Sequence, residues 1–110
     1  MPADASHREL AERLRSQARS DGAGAPGVNA GAVDAGAGQP DVLTEPFRTL
    51  AEQVGRASFR VTDAQVDAVR DAAGSEQAAF EIVMAASVGA GLRRWDAAMR
   101  AIEEAGDAAR

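Results

Sequence analysis

Apolar side chains recur at helical spacing in three segments, residues 43–58, 62–73 and 75–105. In the longest segment these positions lie one, three or four residues apart, and they are Phe80, Val83, Met84, Val88, Leu92, Trp95, Met99 and Ile102. No segment alternates between apolar and polar residues long enough to predict a strand. The pattern therefore predicts an all-α protein, a small antiparallel bundle of three core helices.

Residues that favour helix ends stand at the borders of these segments. Thr44 is predicted to cap the first helix. Thr62 and Gln65 have the spacing of a capping box at the start of the second. Gly74 is expected to end that helix, and Ser75 to cap the long helix that follows.

Large apolar side chains are scarce before residue 42. Residues 1–19 are predicted to contain a short accessory helix, weakly held because Leu10 and Leu14 form only a narrow apolar stripe. Residues 20–41 are rich in Gly and Ala and contain six of the chain's 11 glycines. Such small side chains bury too little surface to offset the entropy of ordering, so this segment is predicted to be a flexible linker. A helical domain at 42–106 is expected to follow it.

The centre of the long helix is unusually rich in small residues, and two of them are glycines. A glycine inside a helix costs about 1 kcal/mol relative to alanine. We interpret the small residues as places where a helix of another subunit approaches closely. The predicted interface consists of Ala85, Ala86, Gly89, Ala90 and Trp95. A break in the helix near Gly89–Gly91 is the alternative.

The composition narrows the classes of partner. The net charge is −5, all 12 basic residues are arginine, and acidic residues are interspersed among them, so no basic patch for nucleic acid is predicted. No apolar run approaches the roughly 20 residues of a membrane span, and the first residues lack the apolar core of a signal peptide. A cytoplasmic protein is expected. The small, alanine-rich core is expected to need partner subunits.

Few side chains could carry chemistry. The chain has no cysteine, which excludes thiolate catalysis and cysteine-bound metals. His7 is the only histidine and is expected on the solvated surface, so no metal or cofactor is predicted. Glu81 lies in an otherwise uncharged run that ends at Arg93 and Arg94. It is expected to pair with these arginines across antiparallel subunits. A catalytic Glu81 with a raised pKa, and simple surface exposure, are the alternatives.

Three phrases, PFRTLAEQV, VTDAQVDAVRDAAGSEQAAFEIVMAA and GAGLRRWDAAM, together resemble the C-terminal helical part of the carboxymuconolactone decarboxylase and alkylhydroperoxidase D superfamily. The matching positions are Thr62, Asp63, Phe80, Glu81, Ile82, Ala85, Ala86 and Arg93. The resemblance implies an alkylhydroperoxidase D-like helical fold that assembles into dimers, trimers or hexamers. The Cys-x-x-Cys pair of the peroxidase branch is absent, so no peroxidatic residue is carried over.

The resemblance implies a family member without thiol peroxidase chemistry, acting as an oligomeric helical subunit. Its partner would be a second copy or a full-length relative that supplies an active site. One alternative is a decarboxylase-type enzyme that acts on a small carboxylate substrate with Glu81 and Arg93 or Arg94. Another is an adaptor that holds a peptide helix in a groove. The sequence leaves open whether the chain is an enzyme.

Overall fold

Five α-helices carry the fold in the computed structural model, which describes the backbone of residues 3–108 and the side chains of residues 6–108. They are α1 (Ala3–Arg19), α2 (Val28–Gly36), α3 (Phe47–Ala57), α4 (Asp63–Ala73) and α5 (Glu76–Ala108), with a 3-10 turn at Ser58–Arg60. The described range contains no strand, so the all-α prediction is confirmed. No helix within it is long and apolar enough to cross a lipid bilayer.

The predicted ends of α4 and the start of α5 are confirmed. Thr62 Oγ1 accepts a hydrogen bond from the Gln65 amide at 3.2 Å, and Gln65 Oε1 accepts one from the Thr62 amide at 2.9 Å. Gly74 ends α4 with a φ of 88°, a conformation that glycine adopts without strain. Ser75 Oγ accepts from the Ala78 amide at 3.1 Å.

The predicted cap on the helix of residues 43–58 is wrong. This helix, α3, begins at Phe47, and the side chain of Thr44 accepts no hydrogen bond from its first turn. The Glu45 carboxylate accepts instead from the amide and the hydroxyl of Thr49, at 3.3 Å and 2.6 Å. A carboxylate before a helix also complements the positive end of its dipole.

The linker prediction is wrong for residues 28–36, because they form α2, the most buried helix of the fold. Six of its nine residues are buried, including Asn29, Gly31 and Val33. The helix lies against α1, α3 and α5. Small side chains are consistent with a flexible segment, but they also allow helix backbones to approach closely. In α2 the small side chains allow the close approach of helix backbones.

Three glycines show how closely these backbones approach. A Cβ atom on Gly89 of α5 would collide with the carbonyl oxygen of Val33, and one on Gly36 of α2 with that of Ala86. On the other side of α2, a Cβ on Gly55 of α3 would collide with the Gly36 carbonyl. Because these are backbone contacts, rotation of a side chain cannot relieve them.

Larger apolar side chains complete the core around this contact. Leu50, Val69 and Ile82, from α3, α4 and α5, are almost fully buried. Leu43, in the segment before α3, fills the space left by the missing side chain of Gly31. Each such side chain contributes about 1.5–3 kcal/mol relative to an exposed one.

The long helix is continuous from Glu76 to Ala108, so the alternative of a break near Gly89–Gly91 is wrong. The accessory helix α1 packs along it. Exposed ion pairs join the two helices, Arg8 with Glu103 at 3.0 Å and Arg15 with Asp96 at 3.3 Å. Exposed pairs of this kind contribute at most about 1 kcal/mol each.

The two central glycines of α5 give a matched test of this packing. Gly89→Ala should lower the free energy of unfolding by about 1–3 kcal/mol, because the new methyl group meets the α2 backbone. Gly91→Ala should raise it by up to about 1 kcal/mol, because no heavy atom lies within 4 Å of its methyl position and alanine favours the helix. Urea unfolding followed by circular dichroism measures both. Equal effects of the two substitutions would contradict the assigned contact.

Candidate functional site

Large apolar side chains remain exposed along α1 and α5. Phe80 is 60% exposed, Leu10 54%, Met84 46% and Trp95 36%. We call this surface the apolar face, and it consists of Leu10, Leu14, Phe80, Met84, Val88, Gly91 and Trp95. Isolated exposed apolar residues are ordinary, but a continuous group of them typically marks a contact surface.

The apolar face follows from residue spacing on both helices. On α5, Met84, Val88, Gly91 and Trp95 are four, three and four residues apart, which aligns them along one side of the helix. The opposite side of α5 carries buried residues such as Ile82 and Ala86. The single apolar stripe predicted for this helix therefore divides between two sides, one in the core and one at the surface.

A groove of about 600 Å³ runs between α1 and α5. Leu10 and Leu14 line one wall, and Val88 and Trp95 the other. Gly91 lies in the groove with open space above it. A second cavity, of about 480 Å³, shares Leu14 and Val88 with the groove and extends it toward Phe80 and Glu81. The two cavities together make one elongated apolar depression.

His7 closes one end of the groove. It is exposed, as predicted, and its ring meets Trp95 edge to face, with 5.9 Å between centroids and an interplanar angle of 84°. Aromatic pairs prefer this geometry. Among the side chains of residues 6–108, no group of three or more acidic residues or histidines could hold a metal ion.

Glu81 fastens the segment between α1 and α2 to α5. Its carboxylate accepts hydrogen bonds from Gln77 Nε2 at 3.0 Å, from the Ala23 amide at 3.0 Å and from Asn29 Nδ2 at 3.2 Å. Asn29 is buried and also donates to the carbonyl of Ser20 at 3.0 Å. A Cβ atom on Gly22 would collide with the same carboxylate. Glu81 therefore has an evident structural role.

The hypothesis of a raised Glu81 pKa is wrong. The hydrogen bond from Gln77, and after it the one from Asn29, holds the pKa of Glu81 below its ordinary value near 4.5. Desolvation acts in the opposite direction and raises the pKa, whereas the hydrogen bond from the Ala23 amide lowers it further. A carboxylate stabilised in its charged form is poorly suited to act as a general acid at neutral pH.

Glu81 and the two arginines do not form one site within the chain. They lie 12 and 13 residues apart on a continuous helix, which separates them by about 18–20 Å along its axis. Arg94 Nη2 donates to the carbonyl of Gly55 at 3.2 Å and so ties α5 to α3. Arg93 lies beside Gly38, in the turn after α2. The pairing with Glu81 could only be made between separate copies.

Four of the five predicted interface residues already have a neighbour within the chain. Ala85, Ala86, Gly89 and Ala90 are buried within the chain, and α2 lies directly against Ala86 and Gly89. Their assignment to a subunit contact is corrected by this burial, because residues already buried within the subunit are closed to a second chain. Trp95 alone of the five lies at the surface.

The part played by α1 was missed from the sequence. His7, Leu10 and Leu14 are three and four residues apart, which is the spacing seen on the exposed side of α5. That spacing was the available signal for a paired apolar surface. No family model, curated protein or solved structure matches this chain. The family resemblance therefore stays a prediction.

The role of Glu81 can be tested by its effect on stability as pH changes. A lowered pKa means that its contribution is present above the unfolded-state value near 4.5 and is lost as pH falls through the folded-state value. Wild type should therefore exceed Glu81→Gln in unfolding free energy at neutral pH, and the difference should shrink in acid. Urea unfolding across a pH series measures this difference.

Glu104→Gln is the matched control, because Glu104 is exposed and makes no hydrogen bond or ion pair with the described residues. Its difference from wild type should be small at every pH. A pH-independent difference for Glu81→Gln would show that the carboxylate charge plays no part in holding the segment.

Proposed function

We propose that this protein is an assembly subunit, a helical module that pairs through the apolar face with the same face of a second copy. The observation that carries the proposal is the exposed, continuous row of apolar side chains on two adjacent helices. The predicted likeness to carboxymuconolactone decarboxylase-like proteins supports it, because that superfamily is oligomeric. The chain itself, having no cysteine, performs no thiol-dependent peroxide reduction.

The size of the apolar face suits a dimer. Leu10, Leu14, Phe80, Met84 and Trp95 are between 36% and 60% exposed. Because large apolar side chains carry on the order of 200 Å² each, they present roughly 500 Å² of apolar surface. A standard interface buries about 800 Å² per partner, of which somewhat more than half is apolar. The apolar face therefore supplies the apolar share of one such interface.

The spacing on α5 favours an identical partner in antiparallel orientation. The intervals from Met84 to Val88, Gly91 and Trp95 are four, three and four, and they are the same in either direction. A two-fold axis between Val88 and Gly91 would set Met84 opposite Trp95 of the partner subunit. It would also set Val88 opposite the partner's Gly91. Methionine sulfur against an aromatic ring is a favourable contact.

Sedimentation velocity tests the proposal. Wild type should sediment as a dimer at micromolar concentration, and Met84→Glu should weaken the dimer roughly a hundredfold, because a carboxylate would be buried without a partner in each half. Phe59→Glu is the control, because Phe59 is 84% exposed but lies outside the apolar face. A monomeric wild type, or equal weakening by both substitutions, would refute the proposal. If the chain forms a complex with a full-length relative but not with itself, the proposed pairing with a second copy would also be refuted.

A further inference from the structure

Another cleft, separate from the groove and the cavity of the apolar face, lies between α1, the turn after α2 and α5. It has a volume of about 240 Å³ and is lined by both charged and apolar residues. We call it the arginine cleft, and its charged residues are Arg15, Arg19, Asp34, Arg93, Asp96 and Arg100. A neighbouring cavity of about 390 Å³ shares Gln39 and Arg93 with it. This cleft is distinct from the apolar face, and nothing that follows rests on dimer formation.

The charges of the arginine cleft do not cancel. Asp34 pairs with Arg19 at 2.5 Å, and Arg15 pairs both with Asp96 at 3.3 Å and with Glu12 of α1. Within the part of the chain whose side chains are described, Arg93 and Arg100 have no carboxylate within 4.0 Å and donate no hydrogen bond. Four arginines thus stand against three carboxylates, one of which, Glu12, lies outside the cleft lining, in a chain whose net charge is −5. The C-terminal end of α2 offsets part of this excess through its dipole.

Arg94 shows what a structural arginine looks like in this fold. Its guanidinium donates to the Gly55 carbonyl at 3.2 Å, and this contact joins two helices. Arg93, which precedes Arg94, extends toward the turn after α2. Its Nη1 atom lies 3.4 Å from the position that a Cβ atom on Gly38 would occupy. A glycine there, with φ of 74°, lets the backbone pass beside the guanidinium. Arg93 therefore reaches the cleft without being used by the fold.

The spacing of the two uncommitted arginines indicates what size and charge of ligand both could contact. Arg93 and Arg100 are seven residues apart on α5, so they lie on one side of the helix about 10 Å apart along its axis. A guanidinium binds a carboxylate or phosphate through two parallel hydrogen bonds. We propose that the arginine cleft binds a small oxyanion with two negative charges, held between Arg93 and Arg100. The amide of Gln39, on the cleft wall, supplies a further donor.

Isothermal titration calorimetry on the full chain tests this proposal with two probes, inorganic phosphate and succinate, at constant ionic strength. One ligand per chain should bind saturably to wild type. Arg93→Gln and Arg100→Gln should each weaken that binding about tenfold or more, because each removes one bidentate contact. Binding of phosphate alone, succinate alone or both supports the proposal and identifies the source of the anion.

Arg60→Gln is the control, because Arg60 lies outside the cleft and stacks on Phe59 with 5.7 Å between its guanidinium carbon and the ring centroid. Its affinity should stay within twofold of wild type. Circular dichroism verifies that each variant folds. If Arg93→Gln does not fold, the affinity of Arg100→Gln for the two probes decides the outcome. Absence of saturable binding of either probe up to about 20 mM, or an equal loss in Arg60→Gln, would overturn the proposal.

Discussion

Direct contact between helix backbones at α2 is the constraint on which the rest of the structure depends. Gly36, Gly55 and Gly89 each lie where a single methyl group would strike a neighbouring backbone. Such close packing excludes water even though the side chains at the contact are very small. It also limits how much large apolar surface can be buried between α2 and α5. Met84 and Trp95 lie on the outer side of α5, away from this contact, where they form part of the apolar face.

Local signals in the sequence were enough to predict most helix boundaries. The Thr62 and Gln65 capping box, Gly74 and Ser75 act through neighbours only three or four residues away, so their effects can be read without the fold. The start of α3 was misplaced because Glu45 competes with Thr44 for the first turn. Which of two nearby acceptors is used depends on the path of the incoming chain, and sequence spacing does not define that path.

The buried position of α2 could not be predicted from composition, because Gly and Ala are equally suited to a mobile linker and to close backbone packing. What decides between them is the partner, here the small-residue side of α5 around Ala86 and Gly89. The sequence did indicate close approach at Gly89. It could not show that the approaching helix belonged to the same chain. Glu81 was likewise recognised as unusual, yet its donors Ala23 and Asn29 lie more than 50 residues away.

Hydrogen–deuterium exchange of residues 28–36 tests the central claim, that α2 is a packed core helix, most directly. If the backbones of α2, α3 and α5 are in contact, the α2 amides should exchange as slowly as those in the centre of α5, because both open only with the global unfolding of the chain. Amides in the segment 20–27 should exchange faster. Exchange of residues 28–36 at the rate of an unstructured peptide would contradict the account and restore the interpretation of this segment as a linker.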